Sequence, residues 1–171
     1  DRLYENGLQR ERFLPAIAIL KQHVEVLNVD GGTDYRLRTL EQAELYHWPL
    51  DATADEILAR SFVALSSVPG QENVALEVEG RTIHARKVAD DVAWFDFAAL
   101  CDGPRSQNDY IELAREYHTV LISNIPALHK GIDDQVRRFI NLVDEFYDRS
   151  VNLVVSADKP LETLYSGGRL T

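Results

Sequence analysis

The chain has 171 residues, 45% hydrophobic and 27% charged, the composition of a globular protein with enough apolar mass for a core. Its formal net charge of -10 argues against a general nucleic-acid binder, which would carry a basic face. The one cysteine, Cys101, rules out an internal disulfide and points to a reducing compartment, and no apolar run approaches the length of a membrane-spanning helix or a signal peptide.

Residues 1–22 read as helical, with Pro15 tolerated only at a first turn and Ala16, Ile17, Ile19 and Leu20 on the buried side. Residues 24–29 form a nearly continuous apolar run that ends in Asp30-Gly31-Gly32, as expected of a strand covered on both faces. An extended segment over 35–40 follows. Residues 54–65 predict a helix whose inner face carries Ile57, Leu58, Phe62 and Leu65. Residues 74–78 and 81–85 alternate with period two around Glu79-Gly80, which predicts a hairpin, and 92–98 reads as a further strand. Ser106, with Asp109 three residues on, opens a helix that runs through Tyr117. Residues 119–122 and 151–155 read as buried strands. Between them, 133–149 is an amphipathic helix with Val136, Phe139, Ile140, Val143, Phe146 and Tyr147 on its apolar stripe. Asp133 and Asp134 favour its N-terminus and Arg149 its C-terminus. The chain opens without a methionine and stops at Arg169-Leu170-Thr171, and both ends read as cuts inside a longer protein.

Several blocks keep a recognisable order. They are Leu3-Tyr4-Glu5-Asn6-Gly7-Leu8-Gln9-Arg10-Glu11-Arg12-Phe13-Leu14-Pro15, Asp34-Tyr35-Arg36-Leu37-Arg38, Arg105-Ser106-Gln107-Asn108-Asp109-Tyr110, Arg137-Arg138-Phe139-Ile140, Leu142-Val143-Asp144-Glu145-Phe146-Tyr147 and Leu153-Val154-Val155-Ser156-Ala157. In these the chain resembles the ZapE-type (AFG-like) AAA+ P-loop ATPase family; the region between about 51 and 91 matches least. The resemblance implies an α/β fold: part of a P-loop NTPase parallel sheet with flanking helices and a small antiparallel β insertion. It also implies three parts, with 1–50 as the end of the ATPase core, 51–104 as the β-rich insertion and 105–171 as an α/β segment packed on the core.

The resemblance further implies ATP and magnesium as cofactors of the intact protein, a cytoplasmic location, and protein partners that include division-ring components. It implies a homo-oligomer and no specific nucleic acid. The chain contains no Gly-x-x-x-x-Gly-Lys-[Ser/Thr] loop, so it lacks the backbone nest and lysine that hold phosphates, and no cofactor is expected on it alone. The family's architecture makes Arg10, and next Arg12, the candidate catalytic residues, as a finger set against ATP bound by a neighbouring subunit; the alternative is that both are surface helix arginines with no role in the chemistry. Such a guanidinium offsets charge on the transferred phosphoryl group. Arg138 and Arg137 are candidate nucleotide-contacting arginines; the alternative is local pairing, with Asp134 one turn before Arg138 and Asp133 one turn before Arg137.

Other residues invite weaker readings. Asn124 in Ser123-Asn124-Ile125-Pro126 imitates a sensor asparagine. Asp144-Glu145 imitates an ATPase acidic pair but falls on a helix, where a solvated face is expected. His23, His118 and His129 have no metal-like spacing, and Cys101 reads as a small buried apolar residue. The strand–helix–strand unit over 119–155, followed by Leu164-Tyr165, reads as a degenerate copy of the ATPase unit. That reading requires its two strands to be parallel neighbours with the helix across one face. A stand-alone α/β protein-binding adaptor without ATPase activity is the alternative function.

Overall fold

A computed structural model describes residues 45–167. The segments expected at 1–22, 24–29 and 35–40, and with them Arg10 and Arg12, lie outside the described residues. The described elements in chain order are β1 (Tyr46–His47), α1 (Ala54–Leu65), β2 (Gln71–Val78), β3 (Arg81–Ala89), β4 (Val92–Asp96), α2 (Phe97–Cys101), α3 (Gln107–Glu116), β5 (Thr119–Ile125), α4 (Asp133–Asp148) and β6 (Asn152–Ala157).

The strands form one six-stranded sheet in the order β1-β6-β5-β4-β3-β2. The pairs β1–β6, β6–β5 and β5–β4 are parallel, whereas β4–β3 and β3–β2 are antiparallel. The architecture is therefore the mixed α/β one expected, and the antiparallel strands extend the same sheet through β4. Strands β5 and β6 are parallel neighbours joined through α4. The duplicated unit requires this geometry, and it is also the usual form of a parallel crossover.

Helices cover both faces of the sheet, so its central strands are apolar almost without interruption. On one face Leu58 and Phe62 of α1 pack against Val92, Trp94, Leu121 and Val154. On the other, Leu100, Leu113, Leu142 and Phe146 from α2, α3 and α4 pack against Ala93, Phe95, Val120 and Ile122. Alternation along β4 and β5 divides these residues between the two cores.

Local chemistry accounts for the connections. Glu79 and Gly80 both have positive φ, 48° and 71°, which forms a two-residue turn whose twist suits the β2–β3 hairpin. Gly70 has φ of 77°, and a Cβ there would stand 2.8 Å from the Val88 carbonyl oxygen, so a side chain is excluded where the chain enters β2. Ser106 and Asp109 form the expected capping box of α3. Asp109 is fully buried and also accepts from Arg81 Nη1 at 2.6 Å, tying α3 to β3.

Two expectations are corrected. The strand expected over 92–98 ends at Asp96, and Phe97 begins α2. The stripe expected on α4 is too wide: Ile140 is 40% and Tyr147 82% exposed. The helix is rotated so that Val136, Leu142, Glu145 and Phe146 are buried, leaving Ile140 and Tyr147 beyond the edge of the contact.

Candidate functional site

Arg137 and Arg138 are consecutive on α4 and so point about 100° apart. Arg137 is exposed, while Arg138 is half-buried and turned towards α2. Its Nη1 donates to the Cys101 carbonyl at 3.2 Å, and no ion pair joins it to Asp134. The local Asp134–Arg138 pairing considered from sequence is thus replaced by a tertiary contact.

That contact completes an unusual helix end. A helix leaves its last four carbonyls without intrahelical partners, and in the five-residue α2 each of them is taken. The Asp102 amide donates to Ala98 at 2.9 Å and Arg105 Nε to Ala99 at 3.0 Å. The Tyr110 hydroxyl donates to Leu100 at 2.8 Å, and Arg138 to Cys101. Arg105 also donates through Nη2 to the Thr82 carbonyl at 3.3 Å. The loop, α3 and α4 therefore converge on one short helix. Sequence reading missed α2 and this cap. The only signal was that Arg105, Tyr110 and Arg138 all fall in the family-like blocks, because the partners lie 6, 10 and 37 residues apart.

Arg138 also lines a polar cleft of about 520 Å³ at the N-terminus of α4, with Asp102, Gly103, Lys130, Gly131 and Asp133. Two cations and the helix N-terminus face three carboxylates here, Asp102, Asp133 and Asp134. The balance does not make a phosphate cradle on its own.

A second polar cluster lies at the carboxyl ends of the parallel strands. Asn124 adopts a left-handed backbone with φ of 63° at a register shift in β5. Its Nδ2 donates to Asp96 Oδ1 at 2.6 Å, and its amide donates to Ser156 Oγ at 3.2 Å. Arg86 forms a two-pronged pair with Asp55 at 2.8 and 2.7 Å, approaches Asp96 Oδ2 at 3.7 Å, and lies 4.6 Å above the Trp94 ring. Hydrogen bonding from Arg86 holds the Asp55 carboxyl below its usual range, and the same bond raises the guanidinium. These groups satisfy one another and fasten α1 to β3, β4 and β5. Asn124 works here as a strand-end brace.

The remaining sequence candidates take structural places. Glu145, expected on a solvated face, is 7% exposed and accepts from Gln107 and Arg149, whereas Asp144 is exposed. Burial of its carboxylate is what demands those partners. Cys101 is buried, and burial pushes its thiol up to about 12, so it is held as the neutral thiol. His129 accepts from the Gly131 amide at 3.0 Å. His118 is exposed beside Asp91, 3.8 Å away. His23 lies outside the described residues. Among the described residues no three metal-ligating side chains converge, and no helix is long and apolar enough to cross a membrane.

The residues that cap α2 (Arg105, Tyr110 and Arg138), much of α4 and most of β6 fall in the blocks singled out in the sequence. The profile of the AFG1-like ATPase family matches residues 1–171. The chain belongs to the AFG1-like ATPase family. It is 46% identical over 170 residues to the cell division protein ZapE of Escherichia coli K12, covering 99% of this chain and 45% of that protein. It is 37% identical over 176 residues to lactation elevated protein 1 homolog B of Danio rerio, covering 100% of this chain and 35% of that protein. The chain therefore spans less than half the length of these family members. No solved structure matches it.

Proposed function

We propose that the intact protein is a cytoplasmic ATP hydrolase that works as a homo-oligomer and couples turnover to action on a protein partner of the division machinery. The observation that carries this reading is the family match along all of residues 1–171, together with 46% identity to a cell division protein. ATP and magnesium are its cofactors. Because this chain has no phosphate-binding loop, ATP binding by the isolated chain is negligible, and the phosphate and metal contacts belong to the rest of the protein.

The chain's own contribution is arginine chemistry. Arg10 is the finger presented to ATP on a neighbouring subunit, with Arg12 as the other candidate. Its guanidinium stabilises negative charge on the phosphoryl group as water displaces ADP, and adds little to ground-state binding. Arg138, fixed by Cys101 O, and the adjacent Arg137 contact nucleotide within the same subunit; the anchored geometry of Arg138 supports its half of this reading. Mixed-subunit assays test the scheme. Arg10→Ala protein combined with a phosphate-loop variant recovers activity if the finger acts across the interface, and recovers none if it acts within one subunit. Micromolar ATP binding by the 171-residue chain alone, measured by titration calorimetry, would overturn the division of labour.

A further inference from the structure

The rotation of α4 leaves an apolar groove that nucleotide chemistry does not use. It holds about 310 Å³ and is lined by Leu128, Phe139, Ile140, Val143 and Tyr165, with Asp144 as the charged residue at its wall. Its far side is fixed by main chain: Leu128 and Tyr165 form a parallel bridge, and the Leu128 amide donates to Leu164 O at 2.8 Å. Ile140 is 40% exposed, and Tyr147, two turns along α4, extends the apolar line out of the groove at 82% exposure. The groove is small for a nucleotide and has almost no polar lining to orient one, but it suits a few aliphatic side chains. It borders a helix, not an open sheet edge, so an added strand would find no ladder to join.

Charge decides the occupant. Asp144 and, one turn on, Asp148 are exposed and form no ion pair with any described residue. The whole chain carries a net charge of -10. An apolar ridge entering the groove would bring its flanking residues beside these two carboxylates. We infer that this groove docks an amphipathic helix of a protein partner, with aliphatic side chains in the groove and Lys or Arg residues along the flank that meets Asp144 and Asp148. The inference rests on the protein-partner part of the proposed function and not on its ATPase part.

The test uses the intact protein and a synthetic amphipathic peptide of about 18 residues, long enough to be helical, with leucines at helical spacing and lysines flanking them. Controls are a scrambled peptide of the same composition and one with glutamate in place of lysine. Fluorescence anisotropy should show the amphipathic lysine peptide binding at least about tenfold more tightly than either control. Ile140→Glu should abolish that difference, and Asp144→Lys with Asp148→Lys should exchange the preference from the lysine to the glutamate peptide. ATP turnover without peptide should be the same in all three proteins, because Ile140, Asp144 and Asp148 do not line the cleft that holds Arg138.

Equal binding of the amphipathic and scrambled peptides, or no effect of Ile140→Glu, overturns the inference and leaves the ATPase reading standing. Absence of turnover in the wild type overturns the ATPase reading and leaves the groove standing. A concentration-dependent oligomer that Ile140→Glu dissociates would assign the groove to a second copy. Peptide binding that appears only after truncation would assign it to a segment of the protein itself. Either result also overturns the inference.

Discussion

Tyr110→Phe isolates the junction on which α2, α3 and α4 converge. Tyr110 is 1% exposed and its hydroxyl donates to Leu100 O at 2.8 Å, within the short helix whose other terminal carbonyls are capped by Asp102, Arg105 and Arg138. Removing one oxygen leaves packing intact and strands a buried carbonyl, which costs about 1–3 kcal/mol. For a protein of this size about 2 kcal/mol lowers Tm by roughly 4–8 °C. Tyr117→Phe is the matched control. Tyr117 is 5% exposed at the end of α3, but its hydroxyl bonds to no described residue, so the same atom should cost less than about 0.5 kcal/mol. Urea unfolding followed through the fluorescence of buried Trp94 measures both, and the midpoint should shift for Tyr110→Phe with the slope unchanged. Equal, small shifts in the two variants would refute the idea that the capped carbonyls hold this junction together.

Asp109→Ala should cost about 3 kcal/mol in the same assay, towards the lower end for a broken buried pair because Arg81 is 40% exposed and can rehydrate. Phe62→Ala, which opens the core between α1 and the sheet, should cost about 3–5 kcal/mol. The Asp55 carboxyl is held below its ordinary value of 3.8 by Arg86, so its contribution is complete above that pH and fades as pH falls through the lower folded value. The side chain is half exposed, so the stability gap between wild type and Asp55→Asn should be only about 0.2–1 kcal/mol near neutrality, and it should close below pH 3.8; a gap that widens in acid would contradict the sign. Cys101 should resist a thiol-specific reagent at mildly alkaline pH until the protein unfolds, because its thiol lies near 12 and is buried.

How much was legible depended on whether a signal was local. The two-residue hairpin, the Ser106–Asp109 capping box and the apolar runs of β5 and β6 are written in neighbouring residues, and each appears where expected. Helix α2 was not legible. Phe97-Ala98-Ala99-Leu100-Cys101 continues the apolar run of β4, so periodicity cannot divide strand from helix over so short a span. What makes it a helix is the set of caps brought by Arg105, Tyr110 and Arg138 from distant sequence. The two-residue β1 is short for the same reason of scale: it is defined by β6 beside it, with the Val155 amide donating to Leu45 O. On α4 the period was right and the rotation was not, since period alone does not say which residues of a wide apolar arc meet the sheet. The buried place of Glu145 shows the same limit, because it depends on Gln107 and Arg149 meeting it.

The central claim is that this chain supplies arginine chemistry to an ATPase whose phosphate site lies elsewhere in the protein. Steady-state ATP hydrolysis by the intact protein carrying Arg10→Ala tests it most directly. The account expects turnover to fall about 10³-fold or more with the KM for ATP nearly unchanged, the signature of a group that acts on the transition state. Normal turnover in that variant, and again in Arg12→Ala, would contradict it.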